Sequence, residues 1–247
     1  MKGRLALLGL ICTGRALALE LEAGFSHEQL TNNYADWSSV YLEAAHSLAP
    51  RQTLYGAVRE VERFDLRDSQ VEAGYYHPFS SRLVAHVEAN ASSEHNFLPE
   101  KSFFGEASLQ FGPPGWVASA GYRHSDYTAT STRIISAGLE RYFGAFRAFY
   151  TLYNGKPEDT GSATSQRFGL DYYYADERSR VGVAATWGRE VENIVPNGVV
   201  TSDVRAFNVF GRHSFSPAWA LSWAVGTHQQ GDFYRRTGAQ LGLRHLF

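Results

Sequence analysis

The chain has 247 residues, of which 23 are basic and 25 acidic, with 14% aromatic residues and a single cysteine. A near-neutral balance with no basic stripe argues against nucleic-acid binding, and one cysteine excludes a disulfide framework. A mean hydropathy of −0.30 beside so many aromatics suits a soluble core poorly; it fits a closed sheet in which only alternate positions meet lipid and rings gather at both interfaces.

Two positive charges in Met1 to Arg4, the apolar run Leu5 to Cys12 and the small-x-small triplet Ala16-Leu17-Ala18 predict a cleaved Sec-type secretory signal over residues 1–18. The run is too short to cross a bilayer, which takes roughly 20 apolar residues, and Ile11 replaces the small residue that a lipidated Cys12 would need before it. The mature chain is expected to begin at Leu19, with 19–247 as one domain. Losing Lys2, Arg4, Arg15 and Cys12 leaves 20 basic against 25 acidic residues, a net charge of −5.

Beyond the signal the repeating feature is alternation. Leu83, Ala85, Val87 and Ala89 interleave with Arg82, His86, Glu88 and Asn90; Phe103, Gly105, Ala107, Leu109 and Phe111 interleave with Phe104, Glu106, Ser108 and Gln110. Phe168 to Tyr174 and Trp219 to Val225 repeat the pattern, each a strand with one apolar face. Cutting at turn signals predicts strands near 19–27, 37–48, 52–63, 68–77, 81–91, 101–112, 116–125, 130–142, 145–154, 164–175, 178–190, 203–214, 217–228 and 233–247. Connections alternate between tight turns, such as Gly112-Pro113-Pro114-Gly115, and longer polar loops at 28–36, 92–100, 155–163 and 191–202. Short periplasmic turns facing longer external loops, with both termini periplasmic, require an even strand number. The expected fold is all-β: a transmembrane antiparallel up-and-down barrel of about 14 strands, with 12 or 16 as the alternatives. A secreted β-sandwich shares the alternation, but strand-interior glycines such as Gly74, Gly121 and Gly169 would weaken its core, whereas a closed sheet uses them for curvature.

The chain ends Gln240-Leu241-Gly242-Leu243-Arg244-His245-Leu246-Phe247. This polar-x-Gly-x-x-aromatic-x-Phe pattern resembles the signal read by the barrel-assembly machinery, with Gln240, Gly242 and Phe247 on the matching positions and His245 where another aromatic is usual. That machinery during biogenesis and outer-membrane lipid thereafter are the expected partners.

The run Gly121-Tyr122-Arg123-His124-Ser125-Asp126-Tyr127, the segment Glu140 to Tyr150 and the layout of signal plus barrel resemble the YaiO family of outer-membrane barrels over most of residues 22–247. The resemblance implies a Gram-negative outer-membrane location and an association with cell-surface polysaccharide systems. Periplasmic helical repeats precede the barrel in some relatives and are not seen here, which argues against an independent secretion role.

Taking each apolar set as outward places Glu43, Glu72, Arg82, His86, Glu88, Glu106, Arg123, Glu140, Arg147, Arg167 and Asp171 on the lumen side. They would either form a solute-selecting channel or pair across the lumen and hold the barrel shut. Trp37, Trp116, Tyr122, Tyr142, Tyr153, Tyr172, Trp187 and Trp219 are expected in the interfacial girdles; Tyr41, Tyr76 and Tyr173, pointing inward, would fill space or offer a sugar platform. Three candidates for catalysis are His124-Ser125-Asp126, Asp203 with His213-Ser214, and His86 with Glu88; adjacent strand residues face opposite ways, so His124 and Ser125 do not form a nucleophile and base, and His86 and Glu88 share a face but have no Ser at a convincing position beside them. No enzyme, cofactor or metal site is expected. The sequence reads as a channel or an accessory of envelope or exopolysaccharide traffic, with surface polysaccharide a candidate partner; an outer-leaflet lipid or glycan hydrolase and a closed, adhesin-like barrel are the alternatives.

Overall fold

A computed structural model describes residues 18–158, 161–175 and 178–247. It contains fourteen strands: β1 Ala18–Leu30, β2 Trp37–Ala49, β3 Gln52–Arg63, β4 Leu66–Pro78, β5 Leu83–Ser92, β6 Lys101–Gln110, β7 Trp116–Asp126, β8 Ser131–Phe143, β9 Phe146–Pro157, β10 Ala163–Tyr174, β11 Ser179–Ile194, β12 Gly198–Ser214, β13 Trp219–Gln230 and β14 Tyr234–Leu246. Every strand pairs antiparallel with its sequence neighbours, and β1 pairs β14 from Glu20↔Leu246 to Leu30↔Arg236, closing the sheet. Closure leaves no unpaired edge, the condition for strands to span a bilayer. The seam is completed by the Phe247 N–H, which donates to the Leu19 carbonyl at 2.8 Å.

The fourteen-strand up-and-down barrel expected from alternation is therefore present. One expected loop is not: residues 191–202 continue the β11–β12 ladder out to Ile194↔Gly198. The β-branched residues Val191, Val199, Val200 and Thr201 extend the two strands into a projecting hairpin instead of a polar loop. The expected signal peptide lies outside the described residues except for Ala18, which already opens β1.

Side-chain facing follows the register. Phe25, Val40, Val71, Ile135, Phe168 and Phe207 are among the large apolar residues exposed on the outer surface, Ile135 at 61%. A continuous apolar band of that kind is untenable in water and is matched by lipid. Both termini and the β2–β3, β4–β5, β6–β7, β8–β9, β10–β11 and β12–β13 turns lie at one end, here the terminal end; the remaining connections form the loop end.

Inside, ring-bearing residues lie directly opposite glycines on the next strand: Tyr41 on Gly24, Tyr55 on Gly74, Phe149 on Gly169 and Phe210 on Gly182. A Cβ added at any of these glycines would overlap the partner's ring or its hydroxyl. Each ring thus lies flat over a neighbour with no side chain, which covers exposed backbone and keeps the lumen wall low.

Candidate functional site: the barrel lumen

Ten of the eleven residues assigned to the lumen from sequence stand on inner-face positions: Glu43, Glu72, His86, Glu88, Glu106, Arg123, Glu140, Arg147, Arg167 and Asp171. Arg82 does not. It is exposed in the β4–β5 turn, because Ser80 Oγ accepts from the amides of Arg82 and Leu83, so the turn consumes residues 79–82 before β5 begins.

Charges on the inner face are sorted around the barrel. Over β1–β8 it carries Glu20, Glu22, Glu28, Glu43, Asp68, Glu72, Glu88, Glu106 and Glu140, with Arg59, Arg63 and Arg123 as the bases; over β9–β14 it carries Arg147, Arg167, Arg180, Arg212, Arg236 and Arg244, with Asp171, Glu190 and Glu192 as the acids. One half of the wall is thus predominantly acidic and the other predominantly basic, which sets a field across the lumen.

The expectation that these groups pair across the lumen is met only at the loop end. Elsewhere the pairs run along the wall: Arg123 to Glu88 at 3.0 Å, Arg59 to Glu72 at 3.7 Å, Arg147 to Asp171 at 3.1 Å, and Arg147 to Glu140 at 4.0 Å. The most connected group is at the seam, where Arg244 reaches Glu22 at 2.6 Å and Glu20 at 2.5 Å. Glu22 also accepts from Tyr41 (2.7 Å) and Ser222 (2.6 Å), so β1, β2, β13 and β14 are fastened to one carboxylate. Gln240, on the inner face of β14, donates to the Tyr41 hydroxyl at 3.1 Å. In the middle of the acidic half Tyr55 lies 2.9 Å from His86 Nε2 and donates to Glu88 at 2.7 Å, while Tyr76 stacks on His86 at 4.0 Å. Tyr41 and Tyr76 are therefore committed to internal contacts, whereas Tyr173 stays on the inner face of β10 opposite Arg180. Glu43, Arg167 and Arg180 form no ion pair among the described residues.

The loop end is built differently. Trp37 of β2, Ile194 at the tip of the β11–β12 hairpin and Tyr234 of β14 form one buried cluster with Leu30, Tyr34, Phe64, Val200 and Phe233. Trp37 meets Phe64 and Tyr234 edge-on at 5.3 and 5.5 Å. Arg63 and Arg236 lie over the Trp37 ring at 4.2 and 4.7 Å, a favourable arrangement for a desolvated cation. Arg236 pairs with Glu28 at 3.0 Å, and Arg63 of β3 with Glu192 of β11 at 3.8 Å. From the β5–β6 loop comes buried Phe97, also under Arg63 (5.5 Å), its carbonyl held by Asn193 at 3.2 Å. Asp68 fixes that loop by accepting from the amides of Asn96, Phe97 and Leu98 at 2.8–3.0 Å. Burial pushes the Tyr127 phenol of the β7–β8 connection up, and nearby Glu192 adds to the rise. Strand β11 pairs with none of β2, β3 and β14, so the cluster bridges the mouth as a plug.

No catalytic constellation forms from the sequence candidates. His124 and Asp126 meet on the outer face (2.9 Å) while Ser125 points inward to Ser102; Asp203 and His213 stand ten residues apart on β12; His86 and Glu88 are bridged by Tyr55. Among the described residues no group of acidic, His or Cys side chains could hold a metal.

The model of the YaiO membrane beta barrel domain matches residues 19–193. The chain belongs to this family. The YaiO match spans β1 to β11 and thus covers the acidic half of the lumen and part of the basic half. Solved barrels share the fold at low identity. A bacterial polysaccharide outer membrane secretin aligns at TM-score 0.58 and 8% identity over 94% of this chain and 99% of that one. Omp33 of Acinetobacter baumannii aligns at 0.55 and 11% over 94% and 100%, and OpdQ of Pseudomonas aeruginosa at 0.52 and 8% over 94% and 98%. No sequence match was found among curated proteins.

What sequence reading missed in this YaiO barrel is the plug. Trp37, Tyr142 and Tyr153, expected in the girdles, are on inner positions, while Trp116, Tyr122, Tyr172, Trp187 and Trp219 are on the outer face. A signal was available: Leu30, Trp37 and Tyr234 are bulky residues on the polar phase of their strands.

Proposed function

We propose that this outer-membrane barrel is a solute passage, oriented with both termini in the periplasm and the loop end outward, and closed on the outer side by the plug in the state described here. The observation that carries this reading is the inner wall, which is charged along its length and sorted into acidic and basic halves. A purely structural barrel gains nothing from leaving Glu43, Arg167 and Arg180 without an ion-pair partner among the described residues, whereas a passage uses such groups to select solutes. The family resemblance points to surface polysaccharide as the traffic served, and the barrel-assembly machinery reads the Gln240, Gly242 and Phe247 signal during biogenesis. The reading is non-enzymatic and needs no cofactor.

A second reading, a permanently closed accessory barrel, is favoured by the Arg63–Glu192 bridge across the plug. Planar-bilayer conductance of the refolded protein, with and without residues 192–200 replaced by a short Gly-Ser turn, separates the two. A passage predicts rare openings in the parent and steady conductance in the variant. Silence from both would favour the closed accessory.

A further inference from the structure

We propose that the outer face of β12, β13, β14 and β1 is a binding site for a phosphorylated, multiply acylated glycolipid of the outer leaflet, a lipid of the lipid A type. A groove of about 650 Å³ runs down this face. Its floor carries small side chains, with Thr227 opposite Thr237 and Val225 opposite Ala239. The two threonine hydroxyls bond each other at 3.3 Å, which suits an apolar occupant. Phe207 of β12 and Phe25 of β1 stand exposed on either side. A hollow between two rings admits flexible acyl chains, whereas the same face of a second barrel would bring another hollow against it and leave a void. From Thr237 at the rim to Leu241 at the base is about 14 Å along an extended strand, against an apolar band about 25 Å tall. The groove therefore serves one leaflet, the one at the loop end.

The head-group level above it is basic. Arg205, Gln229 and Arg235 form one cross-strand row on β12, β13 and β14, one step loopward of Phe207, Thr227 and Thr237. Trp187 stands opposite Arg205 on the outer face of β11, and tryptophan marks the membrane interface. Both arginines are exposed. Neither forms an ion pair among the described residues, and Arg235 donates to Gln229 at 3.2 Å. Of the nearby acids, Asp203 lies 3.8 Å from Arg189 and Asp36 3.7 Å from His27, while Asp232 is in the turn beyond the row. A guanidinium grips phosphate through paired hydrogen bonds. Two of them on strands about 10 Å apart match two phosphates on one sugar frame better than the single phosphate of a phospholipid.

The choice of leaflet rests on the orientation in the passage reading, but the binding does not, since it is measured in detergent. Native mass spectrometry of the full refolded barrel uses bis-phosphorylated lipid A, the same lipid with its phosphates removed, and phosphatidylglycerol. The barrel should retain lipid A and bind the other two at least tenfold more weakly. Arg205→Gln with Arg235→Gln should weaken lipid A at least tenfold, as should Ala239→Trp, which fills the groove and leaves every charge in place. Arg133→Gln on the outer face of β8 and Ala120→Trp on that of β7 should change nothing. Equal binding of phosphatidylglycerol or of the dephosphorylated lipid, full retention in Ala239→Trp, or an equal loss in Arg133→Gln would overturn the proposal. A parent that holds lipid A in this way yet never conducts would sink the passage reading and leave this one standing.

Discussion

The two ends of the lumen hold themselves together by opposite means. At the terminal end, four consecutive strands around the seam are tied by Arg244, Glu20, Glu22, Tyr41 and Ser222, all polar and all between near neighbours in the sheet. At the loop end, Trp37, Ile194, Tyr234 and Phe97 come from parts of the wall that never pair and meet over the opening, with Arg63 and Arg236 spread over the Trp37 ring. The first arrangement is part of the barrel, so breaking it should unfold the sheet. The second rests on the barrel, so breaking it should open the mouth and leave the sheet intact.

The largest effect is expected at the seam itself. Deleting Phe247, which closes β14 on Leu19, should leave protein unfolded in the periplasm, whereas removing one residue from the connection 158–162 at the other end should be tolerated. Normal heat-modifiable migration of the Phe247 deletion in membranes would contradict this. Arg244→Leu comes next: it strands Glu20 and Glu22, which are 17% and 8% exposed, and should lower global stability by about 3–5 kcal/mol, read by urea unfolding in detergent or lipid.

Facing is tested at an intermediate scale. Leu109→Arg, on the outer face of β6, should cost about 2–4 kcal/mol in lipid and Ser108→Arg, on the inner face, much less; equal losses would mean that the strand phase is wrong. The smallest global effect belongs to the loop end. Asp68→Ala leaves the amides of Asn96, Phe97 and Leu98 without their acceptor, a local loss of about 1–3 kcal/mol. Hydrogen exchange should speed up at those amides while the unfolding midpoint barely moves.

This contrast also separates what the sequence made legible from what it did not. Strand number, facing and ten lumen residues follow from a period of two, which each strand carries by itself. Arg82 went astray because the Ser80 side chain takes up two amides and lengthens the turn, a local detail that alternation does not encode. The glycine and ring pairs needed the register: Gly74 reads as a weak strand position until Tyr55 is known to lie on it. The plug depended on contacts between strands five apart around the wall, and residues 191–202 looked like a polar loop because Glu192, Asn193 and Asn197 mask the β-branched positions that extend the hairpin.

The claim that the plug alone bars the outer mouth is tested most directly by thiol access. The mature chain is expected to contain no cysteine, so Thr151→Cys, on the inner face of β9 halfway down the lumen, supplies a single target for a membrane-impermeant maleimide added outside intact cells. The account predicts slow labelling in the parent background and at least tenfold faster labelling once Trp37 and Ile194 are both changed to Ala, with Leu152→Cys on the outer face slow in both. Rapid labelling of Thr151→Cys with the plug intact, or no acceleration when it is removed, would contradict it.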